Sequence, residues 1–329
     1  MVIQTVHDRI YGKFEICESV LIELINCPTV QRLKEISQYG LPENYYKLAG
    51  FSRYEHSIGV MLLLRKFRAS IKEQIAGLIH DLSHTAFSHL VDLILGDRKR
   101  ENYQDLNFET KFLNSEVPEI LERYKLDYKE FIDLEKFSLL EQSAPRLCAD
   151  RLDYSIREIS LWPCPIAKIF IQNLHVFEGK FVFTNPETAH LFALSYAQCQ
   201  REHWGGANAV TRWYAFSEIL RYALAEKIIS QENLYQTDSF VIRTLEKSAN
   251  KKILRVLACL LETDLFISDE NSPIRQIKKF RYVDPEISFN DFNGSLSELC
   301  PEYQKFLEEQ KEINKRGIGI PRSILELLQ

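Results

Sequence analysis

No stretch of this 329-residue chain is long and apolar enough to span a bilayer. The amino-terminal MVIQTVHDRIYGKF has no extended apolar run of the secretory kind. There is no CxxC pair either. The seven cysteines, Cys17, Cys27, Cys148, Cys164, Cys199, Cys259 and Cys300, are scattered and odd in number. That pattern argues against a disulfide scaffold and for unpaired thiols, several of them buried, in a reducing compartment. A cytoplasmic location without membrane attachment is therefore the expectation. Positive charge is not in surplus: 41 Lys and Arg stand against 46 Asp and Glu, for a net charge of −5. With no basic stripe, a nucleic-acid partner is disfavoured, although a local basic pocket stays open. Internal repeats and low-complexity linkers are also missing, so the chain reads as one large core or two unequal domains.

What is present is mostly helical pattern. Helices are expected over residues 14–26, 29–38, 54–67, 71–80, 87–95, 106–113, 119–124, 130–140 and 144–161, with a polar, exposed loop at 97–105. Trp162-Pro163-Cys164-Pro165 should stop the last of these. The period then changes. KIFIQNLHVFEGKFVFT predicts a two-stranded ribbon over 169–184 that turns at Glu178-Gly179-Lys180. A long helix over 187–204, a break at Gly205-Gly206 and further helices to about 262 follow. IKKFRYV (277–283) reads as a strand and IPRSILELLQ as a docked helix. The fold class is mainly α, a helical bundle with a smaller mixed α/β C-terminal part that includes a β-hairpin. The division is drawn at 1–162 and 163–329.

The segment LIHDLSHTAFSH (78–89) holds three of the chain's eight histidines. An apolar run ending in His80-Asp81 is unusual, because buried charges need a partner or a metal. His56 lies one helix earlier and Asp150 much later. Two imidazoles and two carboxylates make a borderline-to-hard donor set that suits one divalent ion: Mn, Fe, Co, Ni, Zn or Mg. Such an ion would lower the pKa of a bound water and polarise a phosphorus. The other reading of these four is as hydrogen-bonded core or surface residues. Asp150, Asp153, Tyr154 and Glu158 share one helix face. Alternatively, Asp153 and Glu158 pair with Arg151 or Arg157, and Tyr154 belongs to the core. His84 suits proton transfer or phosphate binding, while His89 reads as structural, donating to backbone or a carboxylate. Arg53 and Arg151 suit phosphate, whose oxygens match a guanidinium fork.

QRLKEISQYG, FSRYEHSIGV, IHDLSHTAFSH and ADRLDYSIRE, in that order, resemble the HD-domain metal-dependent phosphohydrolase superfamily and its H…HD…D signature. The closer resemblance is to its dGTPase-like, dNTP triphosphohydrolase branch. KKFRYVDPEI resembles a late segment of bacterial HD proteins. The likeness covers residues 28–160 well and the rest loosely, and it is more specific for fold and metal than for substrate. It implies an HD-domain helical bundle with His56, His80, Asp81 and Asp150 as metal ligands. By the same resemblance Arg53 lies near metal and phosphate, His84 beside the reacting phosphate, and Asp92 is its acidic partner. Arg151 becomes a phosphate contact and Tyr154 packs near sugar and phosphates. Glu158 stands where relatives place an aspartate on the sugar hydroxyl, Gln38 lines the sugar end, and Tyr196 lines the nucleotide pocket. The implied chemistry is metal-assisted hydrolysis of a phosphate ester or anhydride, with a nucleoside or deoxynucleoside triphosphate as leading substrate and a homo-oligomer as the assembly. The alternatives are a nucleotide phosphatase or phosphodiesterase, and a nucleotide-binding protein with little catalysis.

One departure stands out. The dNTP triphosphohydrolases carry a second histidine shortly after the IHDLSH-type motif. Here that window, NYQDLNFETKF (102–112), has none, and the next histidine is His175. Asp105 or Glu109 would substitute if its pKa were raised, and Asp105 reads equally well as a helix cap. The gap also argues against a second metal held by extra histidines.

Overall fold

The computed structural model describes residues 3–163, 165–262 and 266–329. Cys164, in the expected helix stop, lies outside them. The helix that carries His56 begins where the chain reads Ser52-Arg53-Tyr54-Glu55. The Ser52 hydroxyl accepts the Glu55 amide, and the Glu55 carboxylate accepts the Ser52 amide at 2.9 Å. This reciprocal cap satisfies two donors that a helix start otherwise leaves bare. The helix, Arg53–Lys66, is buried continuously from Ser57 to Leu64. It packs on Ile71–Ile79 and on Ala149–Ile159, and being covered on several sides explains its lack of a polar face. Two glycines permit the close approach. A Cβ on Gly59 would lie 1.9 Å from Arg157 Nη2, and one on Gly77 would lie 2.6 Å from Leu64 Cδ1.

These helices centre the larger apolar cluster, which also takes in Phe170, Phe181, Phe192 and Tyr303. A second cluster forms around the helix Ala207–Ala225, with Lys251–Leu260 and the docked C-terminal helix Arg322–Leu328 packed on it. The molecule is predominantly helical in its N-terminal region, with a smaller mixed α/β part after it. The main sheet there has four strands in the order Leu174–Phe177, Lys180–Phe183, Glu286–Phe289, Phe292–Ser295. Its middle pair is parallel, with Phe183 opposite Ile287. Among the described residues, no helix is long and apolar enough to cross a membrane.

Several elements differ from the sequence expectation. Residues 14–26 are not one helix. Gly12–Ile16 pairs with Gln4–Asp8 in a hairpin, and only Ser19–Asn26 is helical. Asp8 drives the turn by accepting the Ile10 and Tyr11 amides at 2.7 and 2.9 Å, a local alternative to helix that aspartate favours. Residues 87–95 form a 3-10 segment, Ser88–Leu93. Residues 130–140 make only the short turns Tyr128–Phe131 and Leu134–Lys136, which the Asp127 and Asp133 side chains cap. The helix placed at 144–161 starts at Ala149, because Cys148 before it is extended. The ribbon expected over 169–184 is half helix, Ala167–Asn173, then hairpin. The helix expected over 187–204 ends at Gln198 and continues as a π-turn, Cys199–Trp204. Residues 277–283 form no strand, and only Arg275–Gln276 pairs, with Ile318–Gly319. Side chains explain that last difference: Lys278 and Arg281 converge on Glu101, a buried residue of the loop read as exposed.

Candidate metal centre

His56 sits in the first turn of Arg53–Lys66, and His80 just past the end of Ile71–Ile79. The outer ring nitrogen of each is committed: His56 Nδ1 lies 2.8 Å from Asp153 Oδ2, and His80 Nδ1 lies 2.8 Å from the Gly77 carbonyl. Those acceptors hold the proton on Nδ1 and turn both Nε2 lone pairs inward. The two Nε2 atoms are 3.2 Å apart. Two facing lone pairs at that distance repel unless a proton or a cation lies between them. Carboxylates close the space. Asp150 Oδ1 is 2.9 Å from His56 Nε2 and 3.6 Å from His80 Nε2. Asp81 reaches His80 Nε2 at 3.4 Å and His56 Nε2 at 3.9 Å.

The electrostatics agree with the geometry. Burial opposes charge on His80, yet the Asp81 and Asp150 carboxylates lift its pKa to about 9. Burial likewise works against the Asp81 charge, but Arg53, His80 and His84 hold its carboxyl well below the ordinary range. The pocket draws positive charge, as protons or as a cation competing with them. His56, His80 and Asp81 bring three donor atoms within 4.8 Å of one another, a set that suits a borderline divalent cation, and Asp150 Oδ1 lies alongside both Nε2 atoms. The C-terminal end of Ile71–Ile79 adds its partial negative charge. Asp153 is held in turn: Arg157 bonds it at 2.8 and 3.1 Å, and Arg157 Nη1 lies 3.0 Å from Asp8 Oδ2. The unforeseen N-terminal hairpin thus buttresses His56.

Arg53 flanks the cluster. Its Nη1 meets Asp81 Oδ2 at 2.6 Å and its Nε donates to Ser88 Oγ at 2.7 Å. Its Nη2 is buried and has no partner among the described residues. Phe87 and Ser88 both adopt left-handed backbone, with φ of 63° and 50°, a strained conformation for side chains of this kind. Asp238, far away in sequence, holds the strain by accepting the Phe87 amide at 2.7 Å and the Ser37 amide at 2.8 Å. His84 Nε2 lies 3.3 Å from Asp81 Oδ1. Burial first, then Arg53, push its pKa well below the usual value, so the imidazole is neutral at pH 7. His89 stands edge-on to His84 at 4.9 Å and meets Asp92 Oδ2 at 3.3 Å, while Asp92 Oδ1 accepts the Tyr103 amide at 2.8 Å. His89 therefore links His84 to Asp92, a contiguity that a five-residue sequence gap does not reveal.

Further out, Tyr154 lies 6.3 Å from the His56 ring, and its hydroxyl meets that of Tyr196. Trp204 is edge-on to both, at 5.3 and 5.0 Å. Glu158 is buried with both oxygens engaged, one by His203 Nδ1 and the other by Trp204 Nε1 at 2.8 Å. Arg151 turns to the Gln142 carbonyl at 3.2 Å and to the Arg146 carbonyl. Gln38 adjoins the Ser37–Ser52 bridge, and its buried Oε1 has no partner among the described residues. Asp105 is not a cap, since its helix runs Tyr103–Leu113 with Asn102 at the cap position. Asp105 is exposed at the surface, like Glu109 on the same helix, yet partial desolvation by the surrounding chain and the Asp81, Asp150 and Asp92 charges raise its pKa to about 6 against the opposing Lys279.

Known proteins point the same way. The HD domain family matches residues 53–154. The Bacillus subtilis (strain 168) protein named Uncharacterized protein YdhJ is 35% identical over 320 residues, covering 96% of this chain and 98% of YdhJ. The metal-dependent phosphohydrolase cns2 of Cordyceps militaris is 27% identical over 292 residues, covering 86% of this chain and 84% of its own. The crystal structure of a phosphohydrolase from Bacteroides thetaiotaomicron shares the fold, with TM-score 0.63 and 16% identity over 90% of this chain and 94% of that one. The chain belongs to the HD-domain metal-dependent phosphohydrolase superfamily. The chain and YdhJ align over nearly all of both sequences.

Proposed function

We propose that the protein hydrolyses a phosphate ester or anhydride of a nucleotide, with a nucleoside or deoxynucleoside triphosphate as leading substrate. His56, His80, Asp81 and Asp150 would hold one divalent cation. The observation that carries the reading is the pair of inward Nε2 atoms 3.2 Å apart, flanked by carboxylates and beside an arginine with an unpartnered Nη2. When bound, such a cation supplies a water of lowered pKa and a polarised phosphorus. Arg53 offers its spare N–H to a phosphoryl oxygen. His84, neutral and buried with Nε2 turned to the Asp81 carboxylate, is the group offered for proton transfer, and His89 with Asp92 flanks its ring. Orientation and fixed charge then supply most of the rate.

The test incubates metal-reconstituted protein with a nucleotide panel and reads product mass and phosphate release. Turnover should vanish in a His80→Ala/Asp81→Ala variant. A folded, metal-loaded protein with no turnover on any nucleotide, or a double variant as active as the parent, would sink the proposal. A second reading, a nucleotide phosphatase or phosphodiesterase, draws support from Glu158, whose oxygens are already engaged rather than open to a sugar hydroxyl. Released triphosphate supports the first reading; orthophosphate released stepwise, or a cleaved diester, supports the second.

A further inference from the structure

A second set of ligand-type side chains converges beside the first. Glu141, Cys148 and Asp150 bring two carboxylate oxygens and a sulfur within 4.8 Å of one another. Cys148 Sγ lies 4.0 Å from a Glu141 oxygen, and Cys148 is fully buried. Asp150 is the residue whose Oδ1 stands 2.9 Å from His56 Nε2, so the two donor sets share one carboxylate. The cluster already recruits positive charge: the guanidinium of Arg151 is seated against the sulfur, Nη1 to Sγ 3.4 Å. Its other hydrogen bonds run to the backbone carbonyls of Arg146 and Gln142, so no carboxylate side chain holds it there.

We propose that Glu141, Cys148 and Asp150 form a second divalent-cation position, joined to the first through the Asp150 carboxylate. It rests on the reading of His56, His80, Asp81 and Asp150 as the first position. A thiolate among the donors selects a borderline ion, Zn2+ or Co2+, over Mg2+. Metal–sulfur and metal–oxygen bonds of about 2.3 and 2.0 Å put two ligands on a tetrahedral ion about 3.5 Å apart. The present 4.0 Å closes to that with a small rotation of the Glu141 side chain. Binding replaces the thiol proton by the metal: the S–H bond breaks, the sulfur keeps the electron pair as the metal–sulfur bond forms, and the proton leaves to solvent. Arg151 is displaced from the sulfur and becomes free for a phosphate oxygen. Unlike the dinuclear arrangement that needs extra histidines, this one uses only residues at the start of one helix and the loop before it.

The full-length protein is stripped with chelator, loaded with Co2+ and examined by elemental analysis and near-ultraviolet absorption. The expected result is a second equivalent of metal per chain and a thiolate-to-cobalt charge-transfer band. Cys148→Ser should abolish the band and remove one equivalent. Glu141→Gln, an independent variant that keeps the thiol, should weaken uptake of that same equivalent. His80→Ala/Asp81→Ala should lose the other equivalent and retain the band, which separates failure of the first site from failure of the second. A wild-type protein that takes up a single equivalent without a thiolate band, or a band unchanged in Cys148→Ser, overturns the proposal. So does a protein that binds no cobalt at all, and that outcome overturns the first site with it.

Discussion

The two ends of the helix Ala149–Ile159 treat polar groups in opposite ways. At its first turn Asp150 faces two imidazole nitrogens that point at each other, and Arg53 nearby keeps a buried nitrogen without a partner. Two turns on, Glu158 is more deeply buried than Asp150, and His203 and Trp204 answer both its oxygens. Burying polar atoms without partners costs about 1–3 kcal/mol each. A fold that tolerates that at one end and avoids it at the other marks the first as a place for a ligand and the second as architecture.

That contrast can be broken or sharpened by substitution. The largest effect should come from Asp81→Asn, with turnover on the best nucleotide down about a thousandfold and the equivalent of metal held by the two histidines lost; assay and elemental analysis read both. Next is Glu101→Gln, which leaves Lys278 and Arg281 without their buried counter-charge and should cost about 3–5 kcal/mol in denaturant unfolding. Its pH dependence has a definite sign. Burial disfavours the Glu101 charge, but Arg281 and Lys278 hold the carboxyl far below its usual 4.5. A depressed pKa means the unfolded state takes up protons first, so the stabilisation is whole above pH 4.5 and drains away as the pH falls below it. The gap in melting temperature between parent and Glu101→Gln should therefore narrow in acid; a gap that widened there would contradict the pairing.

Asp153→Asn should follow. It replaces the carboxylate acceptor of the His56 Nδ1 proton and weakens the Arg157 pairing, so metal affinity should drop about 10–100-fold by titration. The smallest effect on metal is expected from Glu158→Gln. It should cost about 1–3 kcal/mol of stability through the Trp204 and His203 contacts while metal affinity stays unchanged. If Glu158→Gln weakened metal binding as much as Asp153→Asn, the two ends of the helix would not be different in kind.

Much of the frame could be read in advance. The apolar stretch from Ile58 to Leu64 calls for a central helix, and His80-Asp81 at the end of an apolar run calls for a partner or an ion. Other features could not be read, because their partners are distant in the chain. Asp8 reaches Arg157 across the N-terminal hairpin, Asp238 secures the Phe87 and Ser37 amides, and Glu101 gathers Lys278 and Arg281. Each is a charged residue whose local pattern suits a surface position equally well. Residues 97–100 are the exposed loop expected, but Glu101 and the IKKFRYV segment depart from expectation for that reason: the Glu101 carboxylate and the Lys278 and Arg281 charges answer one another, and neither stretch shows the other in its own sequence.

Sequence alone determined the kinds of donor available, two imidazoles and two carboxylates, and the helices that carry them, because helix periodicity and capping act over a few neighbouring residues. Tertiary structure decided which nitrogen of each imidazole holds its proton, whether Glu158 is spent or free, and that Cys148 lies against Asp150. Those outcomes depend on which groups meet after burial, where the low dielectric makes every pairing or missing partner costly.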